Sequence, residues 1–310
     1  MNGAATPGTD SFSAAAGPND MTTIDQNSLR TVTTGLTLGE SPRWHGGRLW
    51  CANWGAAEVL AVDDGGRREV MLRAPHPIPF SIDWLPDGRL LLVSGAEARL
   101  VRREHDGTLV THADLRALAR GWNEIVVDGR GNIYVNGSDF DFLGGGPFVP
   151  GVIALVTPDG QVRQVASDIR FPNGMVVTPD NSTLIIAESF AGKLTTFDIA
   201  RDGTLSHRRV WADLGMGGDG MCMDAEGAIW TPCLQGKRPS VIRVREGGEV
   251  LQRIELDQFC FACMLGGDDR PTLYMMLADW RGPENARAMM ADRTGKVLAV
   301  TAPARRAGWP

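Results

Sequence analysis

The chain has 310 residues, long for one domain but within reach of a closed repeat architecture, and 43% of it is hydrophobic, enough for a sizeable core. A formal charge of −6 with no Lys/Arg-rich run excludes a nucleic-acid surface, and no apolar run nears the roughly 18–20 residues that span a bilayer. Five cysteines, an odd number, fit free thiols in a reducing compartment, so the expected location is the cytoplasm.

Residues 1–26 are rich in Ala, Gly, Ser, Thr and Asp and lack both the basic start and the apolar run of a secretory signal. They read as a disordered tail, leaving 27–310 as the folded unit. From Glu40 onward one phrase recurs at a period of about 40–50 residues, the range in which propellers are to be suspected. Its copies occupy 41–50, 81–93, 123–135, 172–186, 218–230 and 264–275. Each is a strand, a tight turn and a second strand, and most are followed by a third strand that ends in a turn such as Asp106-Gly107 or Asp202-Gly203. The phrase is clearest at 218–230, where Met221 and Met223 alternate ahead of Asp224-Ala225-Glu226-Gly227 and Ala228-Ile229-Trp230 reopens an apolar run.

Six such meanders bury both faces only if packed radially, so the sequence predicts an all-β, six-bladed β-propeller with a central channel. A pair of β-sandwiches is the alternative. Residues 25–38 are expected to close the ring as a strand of the last blade, and 113–120 is the only stretch that reads as helical.

In a propeller the residues just ahead of each blade's first strand meet at one rim of the channel. Here these are Glu40, Ser81, Asn123, Asn173, Asp219 and Cys263. Two carboxylates and two carboxamides among six such places suit a hard divalent cation, Ca²⁺, Mg²⁺ or Mn²⁺, with Zn²⁺ as a further option. The chain has neither a Gly-x-Ser-x-Gly elbow nor a His-Glu-x-x-His pair, so it offers no serine-hydrolase or zincin route. Cys260-Phe261-Ala262-Cys263 has redox spacing but no helix to activate a thiolate, and is read as buried free thiols.

Three segments, Gly39-Glu40-Ser41-Pro42-Arg43-Trp44, Phe171-Pro172-Asn173-Gly174-Met175 and 218–230, resemble the signature segments of the SMP-30/gluconolactonase/LRE family, and the likeness extends from about Leu36 to Val300. The resemblance implies a six-bladed propeller that holds one divalent metal, Ca²⁺ foremost, on Glu40, Asn173 and Asp219, with Asn123 touching metal or substrate. It further implies Asp219 as general base in opening a lactone, a sugar lactone among the options. Sugar lactonases of the family tend to carry an Arg two residues before that Asn. This chain has Gly121 there, with Trp122 adjacent and Arg120 one step further back. An acidic substrate-binding residue is expected after the third blade's second strand, where Asp139 and Asp141 are nearest.

Around this site His76, Trp122, Trp54 and Phe171 are candidates for the mouth, and the 136–151 stretch, with Gly144-Gly145-Gly146 between aromatics, reads as a rim loop able to act as a lid. The expected activity is therefore a metal-dependent hydrolase acting on a small-molecule lactone or ester. The alternatives are a non-catalytic ligand-binding or scaffold propeller and a phosphotriesterase- or arylesterase-like propeller with two calcium ions. The last calls for more channel acids than the spacing places.

Overall fold

A computed structural model describes residues 21–310 apart from Met216, Gly236 and Lys237. Its strands form six sheets, one for each repeat, and the first strands of neighbouring blades touch one another around a ring. Those inner strands are Gly39–His45, Phe80–Trp84, Gly121–Val127, Pro172–Val177, Cys222–Asp224 and Phe259–Gly266. The sandwich alternative is thereby set aside. Apolar clusters lie between adjacent blades, as with Leu91, Val93 and Leu100 of blade two against Ile125, Val127 and Val135 of blade three. Each blade thus gains its second buried face from its neighbour.

The recurrent Asp has a local cause. Asp224 Oδ1 accepts from the amides of Glu226 (2.9 Å) and Ala228 (3.1 Å), and Asp128 Oδ1 accepts from those of Arg130 and Asn132, both at 2.8 Å. A short carboxylate can satisfy the turn's amides in this way, which is why the hairpin between the first two strands begins with Asp.

Arg30–Leu36 pairs antiparallel with Gly295–Thr301 and so supplies the outer strand of blade six, the ring closure expected of residues 25–38. Of the segment read as a tail, 1–20 lie outside the described residues, while Thr22–Thr23 pair in parallel with Val250–Glu255 of blade five. Residues 113–120 are not helical: Ala113 and Asp114 end a strand, and the Leu118 amide closes a turn onto the Leu115 carbonyl. Antiparallel pairing to Arg99–Arg103 overrides the weak helical preference of this stretch. Short 3-10 turns occur instead at Gln26–Ser28, Trp54–Ala56 and Pro283–Asn285, and an α-helix at Ala286–Ala291, where Ala286 and Met289 are buried. Among the described residues no helix is long and apolar enough to cross a membrane.

The C-terminal residues cross the end of the channel remote from Glu40. Ala307 pairs with Met223 at the end of blade five's inner strand, and Trp309 exchanges backbone hydrogen bonds with Val177 at the end of blade four's.

Two glycines let the inner strands approach. A Cβ on Gly174 would lie 2.4 Å from the Asp219 carbonyl oxygen and 2.8 Å from the Met221 nitrogen, while one on Gly220 would lie 2.4 Å from the Ala262 Cβ. Blades four, five and six therefore meet backbone to backbone beside Asn173 and Asp219. Below them, Arg43 joins blades one, two and three. Its Nη2 donates to the Ile125 carbonyl (2.6 Å) and to Glu124 Oε2 (3.4 Å), and its Nε lies 3.7 Å from Asp83 Oδ2. Arg43, Asp83 and Glu124 are all buried. Burial pushes both acids above the usual carboxylate range, against the opposing pull of Arg43.

Two outcomes follow for stability. Arg43→Met strands two buried carboxylates and should lower the unfolding free energy measured in urea by about 3–5 kcal/mol, part of it recovered by adding Asp83→Asn and Glu124→Gln. Gly174→Ala forces blades four and five apart and should cost about 1–3 kcal/mol in the same assay.

Candidate functional site

The mouth of the channel is built from irregularities in the inner strands. In blade one the register runs from Glu40 opposite Ala52 to Arg43 opposite Trp50, so Ser41 and Pro42 face a single partner residue. Ser41 has a φ of 48°, and its hydroxyl accepts from the Ile82 amide of blade two at 3.0 Å. Blade three bulges between Trp122 and Ile125, where Asn123 and Glu124 lie, and blade four bulges between Pro172 and Met175, where Asn173 and Gly174 lie. Blade two runs without a bulge and has no acid or amide at this position. A bulge departs from strict side-chain alternation and re-aims side chains that a regular strand would send into the inter-blade core.

Hydrogen bonds tie one bulge to the next. Ser81 Oγ donates to the Asn123 carbonyl (2.6 Å), and Asn136 Nδ2 donates to the Asn173 carbonyl (2.7 Å). Ser189 Oγ donates to the Gly218 carbonyl (2.6 Å), and the Gly220 amide to the Phe261 carbonyl (3.0 Å). Ser81 and Asn136 thus act on backbone, each holding the carbonyl of a residue expected in the site.

Glu40, Asn173 and Asp219 do come together. The Asn173 side chain hydrogen-bonds to Asp219, and the Gly220 amide donates to Asp219 Oδ1 at 3.0 Å. Burial pushes Glu40 well above the ordinary carboxylate range, with the charges of Asp219 and then Glu124 adding to it. Burial likewise raises Asp219, with Glu124 adding, against the lowering by the Gly220 amide and Asn173. Glu40 and Asn173 are buried (6% and 8% exposed), whereas Asp219 stays partly open to the channel. Two carboxylates held close together, with Arg43 only a weak counter-charge to Glu40, form a donor set that fits a divalent cation. Among the described residues no three His, Cys, Asp or Glu side chains cluster as a metal site, so any cation here would lean on carboxamide oxygen as well.

The other expected mouth residues separate. Trp122 is fully buried, with its indole N–H on the Ala119 carbonyl (3.0 Å), and packs between blades two and three. It is a core residue rather than a pocket wall, because strand alternation turns it away from Asn123. Arg120 and Asp139 are exposed and occupy each other: the Arg120 amide donates to Asp139 Oδ1 at 2.8 Å, and Nε lies 3.4 Å from the same atom. Asp141 caps the glycine turn through the Gly144 amide (2.8 Å). His76 is exposed, 3.6 Å from Glu97. Cys263 is buried, its thiol on the Trp230 carbonyl (3.2 Å), and burial pushes that thiol well up, so it offers no thiolate. All five cysteines are buried and free, as read from the sequence. Phe171, half-buried, does stand at the mouth, two residues before Asn173.

Sequence reasoning missed Glu124, Asp83 and Arg43. Arg43 was visible within the Ser41-Pro42-Arg43 phrase and Glu124 beside Asn123, but their meeting across 81 positions is a tertiary fact.

The model of the SMP-30/Gluconolactonase/LRE-like region matches residues 38–279, which contain all three signature segments. Regucalcin of Xenopus laevis is 29% identical over 296 residues, 89% of this chain and 97% of that protein. Diisopropyl-fluorophosphatase of Loligo vulgaris is 27% identical over 192 residues, 55% of this chain and 61% of that one. Among solved structures, a calcium-binding protein, regucalcin, from Agrobacterium tumefaciens superposes with a TM-score of 0.71 at 22% identity, covering 93% of this chain and 96% of its own. A gluconolactonase from Xanthomonas campestris does so at 0.69 and 21%, covering 89% of each chain, and both likenesses confirm the propeller. Since the family model matches most of its length, the chain belongs to the SMP-30/gluconolactonase/LRE-like family.

Proposed function

We propose that the protein is a metal-dependent hydrolase that opens a lactone. Glu40, Asn173 and Asp219 hold one divalent cation, Ca²⁺ foremost with Mg²⁺, Mn²⁺ and Zn²⁺ as alternatives, and Asn123 contacts metal or substrate. The observation that carries this reading is the desolvated Glu40–Asp219 pair with Asn173 bonded to it. It is supported by the gluconolactonase among the structural neighbours and by the calcium-binding protein regucalcin from Agrobacterium tumefaciens.

A bound divalent cation supplies a Lewis acid for the ester carbonyl and makes water more acidic. The chain's own groups supply the rest. The Gly220 amide and Asn173 fix the Asp219 carboxylate from behind, and its exposed side accepts the proton of the attacking water. Ser81 and Asn136 keep Asn123 and Asn173 at their posts through the backbone. The cytoplasm is the proposed location and a small molecule the proposed partner, with no nucleic acid.

Phosphoester hydrolysis is the second reading, favoured by the diisopropyl-fluorophosphatase relative and by two further buried acids, Asp83 and Glu124. Against a second cation there, the Arg43 guanidinium already lies between those two acids. A pure scaffold has no use for the desolvated pair.

Asp219→Ala should lower kcat/KM on lactones by about 10²–10⁴-fold with the circular dichroism spectrum retained, and unchanged turnover would refute the reading. Adding Ca²⁺ to chelator-stripped protein should raise the Tm, by about 2.7 kcal/mol of stability at a hundred times Kd. Because the folded state raises the affinity of Glu40 and Asp219 for protons, the stripped protein loses stability as pH rises through their pKa values, and the cation's benefit grows over the same interval. In Asp219→Asn the stripped protein should be more stable than the parent and its Tm should no longer respond to Ca²⁺.

A further inference from the structure

We propose that the lactone taken by this site carries an aryl or alkyl group, and that an aromatic layer over the mouth binds it. The inference rests on the hydrolase reading above and adds the substrate class.

The chain has ten phenylalanines, and only Phe80 and Phe197 enter the buried cores. Among the described residues the other seven phenylalanines stand at the Glu40 end of the channel, none of them buried. Phe140, Phe142 and Phe148 belong to the 139–150 loop between the second and third strands of blade three. Phe171 and Phe190 of blade four stack on each other at 4.3 Å and 6°, and the loop rings close on this pair: Phe142 on Phe171 at 5.0 Å, Phe148 on Phe190 at 5.6 Å and Phe140 on both at 5.9 Å. The layer does not stop at blade four. Phe142 also lies parallel to Trp280 at 6.2 Å and 9°, and Trp280 meets Phe261 edge-on at 5.9 Å. Trp280 and Phe261 belong to blade six, opposite blade three in a ring of six, so the loop reaches across the axis.

The layer is next to the chemistry. Phe171 precedes Asn173 by two residues, and the Phe261 carbonyl accepts from the Gly220 amide beside Asp219. Each ring carries on the order of 150–250 Å² of surface that favours an apolar cover, and a fold with ample inter-blade core had no packing need to leave Phe190 46% exposed. A polyhydroxylated lactone would meet ring faces here. Of the polar groups nearby, Arg120 is engaged with Asp139, Asn136 with backbone and Asp141 with the glycine turn, while the Arg170 guanidinium lies over the Phe148 ring at 5.0 Å. Hydroxyls buried without partners cost affinity, whereas an aryl or alkyl substituent gains it.

The test compares dihydrocoumarin with glucono-δ-lactone as substrates of the cation-loaded protein. A second arm measures calorimetrically the binding of 3,4-dihydroquinolin-2-one and of gluconolactam, which mimic the two lactones and resist hydrolysis. The expected result is at least a tenfold higher kcat/KM for dihydrocoumarin and a matching preference for the aryl lactam. In Phe190→Ser, and separately in Phe142→Ser, the dihydrocoumarin-to-glucono-δ-lactone ratio should fall about tenfold, mainly through KM. Turnover that favours glucono-δ-lactone, or a ratio unmoved in both variants, overturns the substrate class and leaves the hydrolase reading standing. Lactam binding without turnover of either lactone under Ca²⁺, Mg²⁺, Mn²⁺ or Zn²⁺ overturns the hydrolase reading, and the lactone assignment with it.

Discussion

The structure turns on two carboxylates held close together at the channel mouth, Glu40 buried and Asp219 half-buried. Glu40 and Asp219 come from blades one and five, and each is made harder to ionise by burial and by the acids around it. Such a pair is costly unless a proton or a cation occupies it. The surrounding backbone is arranged to keep it nonetheless. Gly174 and Gly220 allow contacts that any Cβ would block, and serine and asparagine side chains fasten each bulge to its neighbour.

Deeper in the channel the same problem is solved differently. Asp83 and Glu124 are also buried acids, but Arg43 lies between them and donates its remaining hydrogen bonds to the Ile125 and Pro42 carbonyls. The channel thus has two tiers, one neutralised by Arg43 and one, the Glu40–Asp219 pair, at which a cation is proposed. This division explains how a channel rich in acids can be proposed to hold a single cation. It also places Glu124 where it acts on both tiers, bonded to Arg43 below and raising the pKa values of Glu40 and Asp219 above.

Above the pair, the 139–150 loop changes the character of the mouth from polar to aromatic. The ion pair between Arg120 and Asp139 anchors the loop's first residue, and the Asp141 cap sets its glycine turn. The rings it presents then make contact with blades four and six. An inner ion network, a middle pair of carboxylates and an outer apolar layer stack along one axis.

The sequence by itself determined the ring. Six copies of a strand-turn-strand phrase bury both faces when packed radially, and the Asp-led turns are local chemistry written in adjacent residues. The closing strand and the meeting of Glu40, Asn173 and Asp219 were legible for the same reason, since equivalent positions of a repeat must converge when the repeats close. What only the tertiary structure decided departs from that equivalence. Trp122 went to the core and Asn123 stayed half-buried in the bulge beside it, and neither register nor bulge is visible without the partner strand. Arg43, Asp83 and Glu124 share no motif, and residues from three blades become an ion network only once the inner strands are parallel neighbours. The C-terminal pairing across the far end and the aromatic bridge from blade three to blade six likewise depend on closure of the ring, which brings distant segments within reach of side chains that carry no repeat signal.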